Sequence, residues 1–148
     1  MITIRPFEPA DRESVLALWH NAKRKAFPYV EAQQRYTLEE DRAFFEGSLL
    51  FTCRVWIAEE AGEPVGFMAL REGWIDHIFV RVDRQGQGIG SALLDKAKEL
   101  AEGDLNLMTY QRNHAARALY ERHGFEAVAF GVSPPPENEP DVHYRWRA

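Results

Sequence analysis

The sequence predicts a single α/β domain built on a mixed sheet, and three observations carry that reading. Short runs of period-two alternation are interleaved with amphipathic stripes at helical spacing, in the order β-α-α-β-β-β-α-β-α-β-β. The chain has 148 residues, the length of one domain spanning residues 1–148. A chain of that size buries roughly two-thirds or more of its unfolded surface without staples. Its composition, 45% hydrophobic and 28% charged, is that of a folded globular protein.

Each element has a local cause. Ile2 and Ile4 flank Thr3 in a short alternating strand that ends at Pro6. Pro9 suits the first turn of a helix running to about Lys25, with Val15, Leu18, Trp19 and Ala22 as its buried stripe. Thr37-Leu38-Glu39-Glu40 has the form of a capping box opening a second helix, which Gly47 is placed to close. The aromatic connection Phe27-Pro28-Tyr29-Val30, with Tyr36 after it, is left unplaced by propensity. From Cys53 to Leu70 the period becomes two, with Glu60-Ala61-Gly62-Glu63 as a hairpin turn, and Trp74 to Val80 continues the pattern. Gly88 opens a helix with Ile89, Leu93, Ala97 and Leu100 on one side, stopping near Gly103. Leu105 to Tyr110 is a strand, Asn113 is the N-cap of a helix ending at Gly124, and Phe125 to Phe130 and Val142 to Trp146 are the last strands.

Charge and composition narrow the function classes. Lys and Arg number 18 against 23 Asp and Glu, a net −5, which argues against a nucleic-acid binder working through a basic face. The single cysteine, Cys53, excludes an internal disulfide, and His20, His77, His114, His123 and His143 are scattered without metal-ligand spacing, so no metal is expected. No apolar run approaches the ~20 residues that span a bilayer, and no leader is visible. A reducing, cytoplasmic setting without membrane attachment is the expectation.

The chemistry concentrates in Ile78-Phe79-Val80-Arg81-Val82-Asp83-Arg84-Gln85-Gly86-Gln87-Gly88-Ile89-Gly90-Ser91. A strand runs into a turn with three alternate glycines, and the turn runs directly into a helix. Free N–H groups and the helix dipole converge there on a site for phosphate or pyrophosphate. A Walker A loop would need Lys where Ile89 follows Gly88. A dinucleotide fingerprint would need Gly or Ala at Ser91 and would follow the first strand. Neither pattern is met.

A second segment, Asn113-His114-Ala115-Ala116-Arg117-Ala118-Leu119-Tyr120-Glu121-Arg122-His123-Gly124-Phe125, completes a resemblance. Gln85, Gly88 and Gly90 match the Gln/Arg-x-x-Gly-x-Gly/Ala signature of the GNAT superfamily of N-acetyltransferases. Asn113, Ala116, Leu119, Tyr120, Gly124 and Phe125 match its Asn-x-x-Ala-x-x-Leu/Phe-Tyr-x-x-x-Gly-Phe element. The order of elements resembles the family's from about residue 2 to residue 146. The resemblance implies the GNAT-like acyl-CoA N-acyltransferase fold, a central mixed sheet of about seven strands with about four helices.

It also implies acetyl-CoA as cosubstrate, with CoA as product, and a small-molecule or peptide amine as acceptor. Pantetheine would add like a strand to backbone groups of Ile78, Phe79 and Val80. The pyrophosphate would sit on the N–H groups of Gly86, Gln87, Gly88, Ile89, Gly90 and Ser91, with Gln85 in the same signature. Asn113 would contact the cofactor near the pantetheine, and Tyr120 would place its hydroxyl near the sulfur. The amine attacks the thioester directly, so no protein nucleophile is required. An N–H such as that of Val80 would stabilise the oxyanion, and Tyr120 would protonate the departing thiolate. Homodimers through the C-terminal strands or a helix edge are also implied.

The base is open at this level. Two positions where relatives carry Glu hold Trp74 and Met108 here. Asp76 and Glu72 share the face of Trp74 in a regular strand, with His77 opposite; a bulge would exchange those faces, and ordered water is the other candidate. Asp76 is the protein candidate. Those two departures also leave a non-catalytic acyl-CoA-binding module as the alternative. Around the acceptor, Trp74, Tyr29, Tyr36 and Phe27 are candidate walls. The acids of Glu137-Asn138-Glu139-Pro140-Asp141 fit either a cationic amine or a solvated loop, and Lys23-Arg24-Lys25 reads as a solvated last helical turn.

Overall fold

In the computed structural model, which describes residues 1–148, the Ile2-Thr3-Ile4 alternation forms β1 (Thr3–Pro6). A 3-10 turn at Pro9–Asp11 then leads into α1 (Arg12–Ala26), whose Val15, Leu18, Trp19 and Ala22 are buried as their spacing predicts. The aromatic connection holds a helix that no stripe announced, α2 (Glu31–Arg35). Its anchors are tertiary: the Gln34 side-chain amide donates to the carbonyls of Arg24 and Phe27, both at 2.9 Å. Next comes α3 (Leu38–Phe44), opened by the expected capping box, in which the Glu40 N–H donates to Thr37 Oγ1 and the Thr37 N–H donates to Glu40 Oε1. Gly47 does not close it. The helix widens into a π-helical turn, Phe45–Leu49, and continues as α4 (Leu50–Thr52). Phe45 and Leu49 are buried while Gly47 faces open space, so burial overrides the glycine's stop signal.

The hairpins follow as expected. β2 (Arg54–Glu60) and β3 (Glu63–Arg71) meet at Ala61-Gly62, both at positive φ, and β3 turns at Gly73 into β4 (Trp74–Val80). Then come α5 (Ile89–Leu100), β5 (Leu105–Tyr110), α6 (His114–Arg122), β6 (Glu126–Val132) and β7 (Pro140–Trp146).

All strands join one sheet in the order β1-β2-β3-β4-β5-β7-β6. β1 to β4 are an antiparallel meander, β4 and β5 are parallel, and β5, β7 and β6 are antiparallel again. One face packs against α1 and the π-helical turn through Val15, Leu16, Trp19, Phe45, Leu49, Ile57 and Phe67. The other packs against α5 and α6 through Met68, Ile75, Ile89, Leu93, Leu107, Tyr120 and Tyr144. Gly66 on β3 permits the close approach of α5. A Cβ there would stand 3.0 Å from Ile89 Cγ2 and 3.1 Å from the Phe79 carbonyl oxygen.

Candidate active site

The sheet is split along its middle. β4 and β5 are in register only at Trp74 and Asn106, where the Asn106 N–H and its side-chain amide both donate to the Gly73 carbonyl. Beyond that point the strands diverge and leave a cleft of about 1420 Å³, walled by Ile75 to Val80 on one side and Leu107 to Tyr110 on the other. It receives every residue that the sequence singled out for the cofactor or the chemistry except Gln87, which is exposed on the outside of the turn.

The β4 edge facing the cleft has unused hydrogen-bonding groups. The Arg81 N–H donates to the Val65 carbonyl, and β3 and β4 pair Gly66 with Val80 and Met68 with Ile78. Antiparallel ladders alternate bonded and non-bonded pairs, so Phe79 directs its N–H and carbonyl to Phe67 on β3. Ile78 and Val80 direct theirs into the cleft. The expected three-residue edge is therefore presented by two residues, with Phe79 turned away; the Val80 carbonyl already accepts from the Gln85 side-chain amide at 3.2 Å.

At one end of the cleft stands the glycine turn. None of the N–H groups from Gly86 through Ser91 donates to another group of the chain. Gly88 is the N-cap of α5 at φ +86°, a left-handed conformation that glycine adopts without penalty. Gly90 serves packing instead: a Cβ there would meet Leu119 Cδ2 at 3.1 Å, so the bare position lets α5 and α6 close together. These free donors, at a helix N-terminus, fit a diphosphate.

α6 supplies the middle of the site. Asn113 caps it, its Oδ1 accepting from the Ala116 N–H at 3.4 Å, while its side chain borders the cleft. Tyr120 is buried, its ring packed against Phe125 and Tyr144, and its hydroxyl has no hydrogen-bond partner in the chain. Tyr144 is fixed in turn by Arg117 Nε, which donates to its hydroxyl at 2.9 Å, and by Glu121, which accepts from it at 2.6 Å. Burial pushes the Tyr120 phenol well above its ordinary pKa, so it stays protonated.

The opposite wall carries a bulge. The β3–β4 register shifts between Ala69 and Leu70, which makes Asp76 an extra residue in β4. His77 consequently lies on the same face as Trp74 instead of opposite it. Its ring meets Trp19 and Phe44 edge-on, at 5.8 and 6.1 Å, and its nitrogens have no partner in the chain. Burial lowers its pKa to about 4, so it is a neutral imidazole on the cleft wall. Asp76 also borders the cleft, held by Arg71 Nε at 2.7 Å and Nη2 at 3.0 Å, and accepts from the Cys53 thiol. Trp74 stacks on His143 outside the cleft, whereas Met108 lies in it.

Lys23 departs most from its sequence reading. It is not solvated; its ammonium lies 3.7 Å from the Trp19 ring centroid and donates to Asp41 at 2.7 Å, with His20 on the other Asp41 oxygen at 2.6 Å. Burial lowers its pKa, opposed by Asp41. Nothing in the run Lys23-Arg24-Lys25 signals this, because the partner comes from α3. The acidic loop is likewise only partly solvated. Glu137 accepts from the Tyr36 hydroxyl at 2.7 Å, Glu139 is buried against Arg112, and Asp141 borders the cleft.

Comparison with known proteins shows the family and the fold. Residues 52–127 match the acetyltransferase (GNAT) domain family. The chain is 32% identical over 129 residues to the peptidyl-lysine N-acetyltransferase YjaB of Salmonella typhimurium, covering 86% of each. Among solved structures, it is similar to the apo-form solution structure of YjaB from Escherichia coli, with a TM-score of 0.77 and 25% identity over 99% of this chain and 97% of that one. It shares the fold of yncA from Salmonella typhimurium, solved with acetyl-CoA, at a TM-score of 0.73 and 18% identity, covering 99% and 94%.

Proposed function

The chain belongs to the GNAT family of acetyltransferases, and from that premise we propose that it transfers the acetyl group of acetyl-CoA to the ε-amino group of an exposed lysine on a peptide or protein. The observation that carries the reading is the split sheet: a free β4 edge runs from the unbonded N–H groups of the glycine turn to the Tyr120 hydroxyl. The acceptor class follows the YjaB relative, and the carboxylates of Glu40, Glu137 and Asp141 on the cleft wall suit a cationic side chain.

Acetyl-CoA, when bound, supplies the activated acyl group as a thioester. Gly86 to Ser91 would hold its diphosphate, Ile78 and Val80 its pantetheine, and Asn113 the adjoining arm. The Val80 N–H would face the carbonyl oxygen as negative charge develops there. Tyr120 would give its proton to the sulfur. Removal of the amine proton falls to the β4 bulge, where Asp76 is the carboxylate and His77 is the neutral imidazole beside it.

The test is acetylation of lysine peptides, read by mass spectrometry together with thiol release. ε-N-acetyl-lysine formed in step with free CoA supports the reading. CoA binding without transfer to any amine would overturn it in favour of a non-catalytic binding module. We further place the enzyme in the cytoplasm, in keeping with its single cysteine, and propose a homodimer formed through the β6 edge. β6 ends the sheet order, and its Phe130 and Val132 are 62% and 65% exposed. Light scattering should give twice the 17.1 kDa chain mass, reduced to one by Phe130→Lys.

A further inference from the structure

The run Lys23-Arg24-Lys25 ends α1, and its three cations turn three ways. Lys23 points inward to Asp41, and Arg24 Nη1 donates to the Gln34 carbonyl at 2.7 Å. Lys25 reaches the glycine segment instead. Its Nζ donates to Gln85 Oε1 at 3.3 Å, and Gln85 Nε2 donates in turn to the Val80 carbonyl at 3.2 Å. The exposed ammonium therefore stands one carboxamide away from the place where the β4 edge passes into the free N–H groups of Gly86 to Ser91. Five cations border the cleft: Lys23, Lys25, Arg84, Arg112 and Arg122. Three of them are already matched, Lys23 by Asp41, Arg84 by Glu60 and Arg112 by Glu139. Lys25 and Arg122 have no carboxylate partner, and of the two only Lys25 has a hydrogen bond to the glycine segment.

We propose that Lys25 is a cofactor-binding residue whose ammonium leaves the Gln85 amide for the diphosphate of acetyl-CoA, so that α1 as well as α5 holds that end of the ligand; this rests on the acetyl-CoA reading above. A diphosphate ester carries a negative charge on each phosphate, whereas the backbone N–H groups of the turn are neutral. The N-terminus of α5 contributes only about half a positive charge, so charge is left to be met. The exchange replaces a neutral acceptor by an ionised one, and such charge-assisted bonds are roughly twice as strong. A flexible lysine stem with rotatable donors can make that move without displacing the helix. A cation that only complemented the C-terminus of α1 would need no partner from the turn. With Lys25 the cleft has a mobile positive charge at the junction between the pantetheine edge and the phosphate donors.

The test is calorimetry with CoA and with 3′-dephospho-CoA, which keeps the diphosphate and lacks the 3′-phosphate. Lys25→Met keeps an unbranched side chain and removes the charge. It should weaken both ligands alike, by about three- to twentyfold at low salt. The deficit should shrink as salt rises toward about 1 M, because screening reaches the contact itself. Lys25→Arg keeps the charge and should bind both ligands more tightly than Lys25→Met at low salt. Four results overturn the proposal and leave the acetyl-CoA reading standing. The first is binding by Lys25→Met within about threefold of wild type at low salt. The others are a loss confined to CoA, which would point to the 3′-phosphate, a loss that salt leaves unchanged, and a loss as deep in Lys25→Arg. Failure of the wild type to bind either CoA or dephospho-CoA would remove the acetyl-CoA reading itself.

Discussion

Tyr120 and His77 show how burial selects protonation states on the two walls of one cleft. Desolvation disfavours the charged form of each, so the phenol keeps its proton and the imidazole stays without one. For Tyr120→Phe the ring and its packing on Phe125 and Tyr144 persist, and only the donor is lost. Turnover at neutral pH should fall about 10²–10⁴-fold with CoA affinity nearly unchanged, measured by steady-state kinetics beside calorimetry. The deficit should narrow as pH rises toward ~8.5, where a thiol ionises without help. For His77 the consequence is a stability slope. Its folded pKa of about 4 lies below the ordinary 6.5, so between these values the unfolded chain binds the extra proton. Stability present above pH 6.5 is therefore lost as pH falls toward 4, by up to about 3 kcal/mol. Urea midpoints between those pH values should fall less steeply in His77→Phe than in wild type.

At the scale of elements, the position of α5 decides where the free N–H groups of the glycine turn stand, and Gly66 decides the position of α5. A methyl at Gly66 would press on Ile89, Leu93 and the Phe79 carbonyl, and the backbone member of that trio cannot rotate aside. Gly66→Ala should cost about 1–3 kcal/mol of stability by overpacking. It should also weaken CoA binding, because the helix it displaces begins at the glycine turn; denaturation and calorimetry would show both losses. Elements whose cause is local were legible in the sequence. The Thr37 capping box, the Ala61-Gly62 hairpin, the α5 stripe and the Asn113 cap all stand where their residues put them. The glycine turn and the Tyr120 segment were legible as a pair. What depends on register or on distant partners was not. The Asp76 bulge follows from how β3 and β4 align, α2 is anchored by other elements, and Lys23 is buried by an aspartate eighteen residues later. Phe79 illustrates the limit: its side chain could be placed by alternation, while the direction of its carbonyl belongs to the ladder.

At the scale of the molecule, the split between β4 and β5 opens a cleft inside the sheet and leaves strand edges both outside and within. β1 and β6 end the sheet on the outside, and β4 and β5 each have a second edge within. An exposed edge is a template on which another chain can pair, which makes it an aggregation hazard in a crowded solution. On the outside, β1 is only four residues long and ends in Pro6, which has no N–H to offer. The inner edge is guarded by its setting. Its free groups at Ile78 and Val80 lie between the β4 and β5 walls, which join at Trp74 and Asn106, so a neighbouring sheet cannot be brought alongside without prising the two halves apart. A single extended chain or a thin, flexible arm can still enter. The recess thus works as a sieve by thickness, keeping the edge adhesive for a slender ligand while hiding it from other folded proteins.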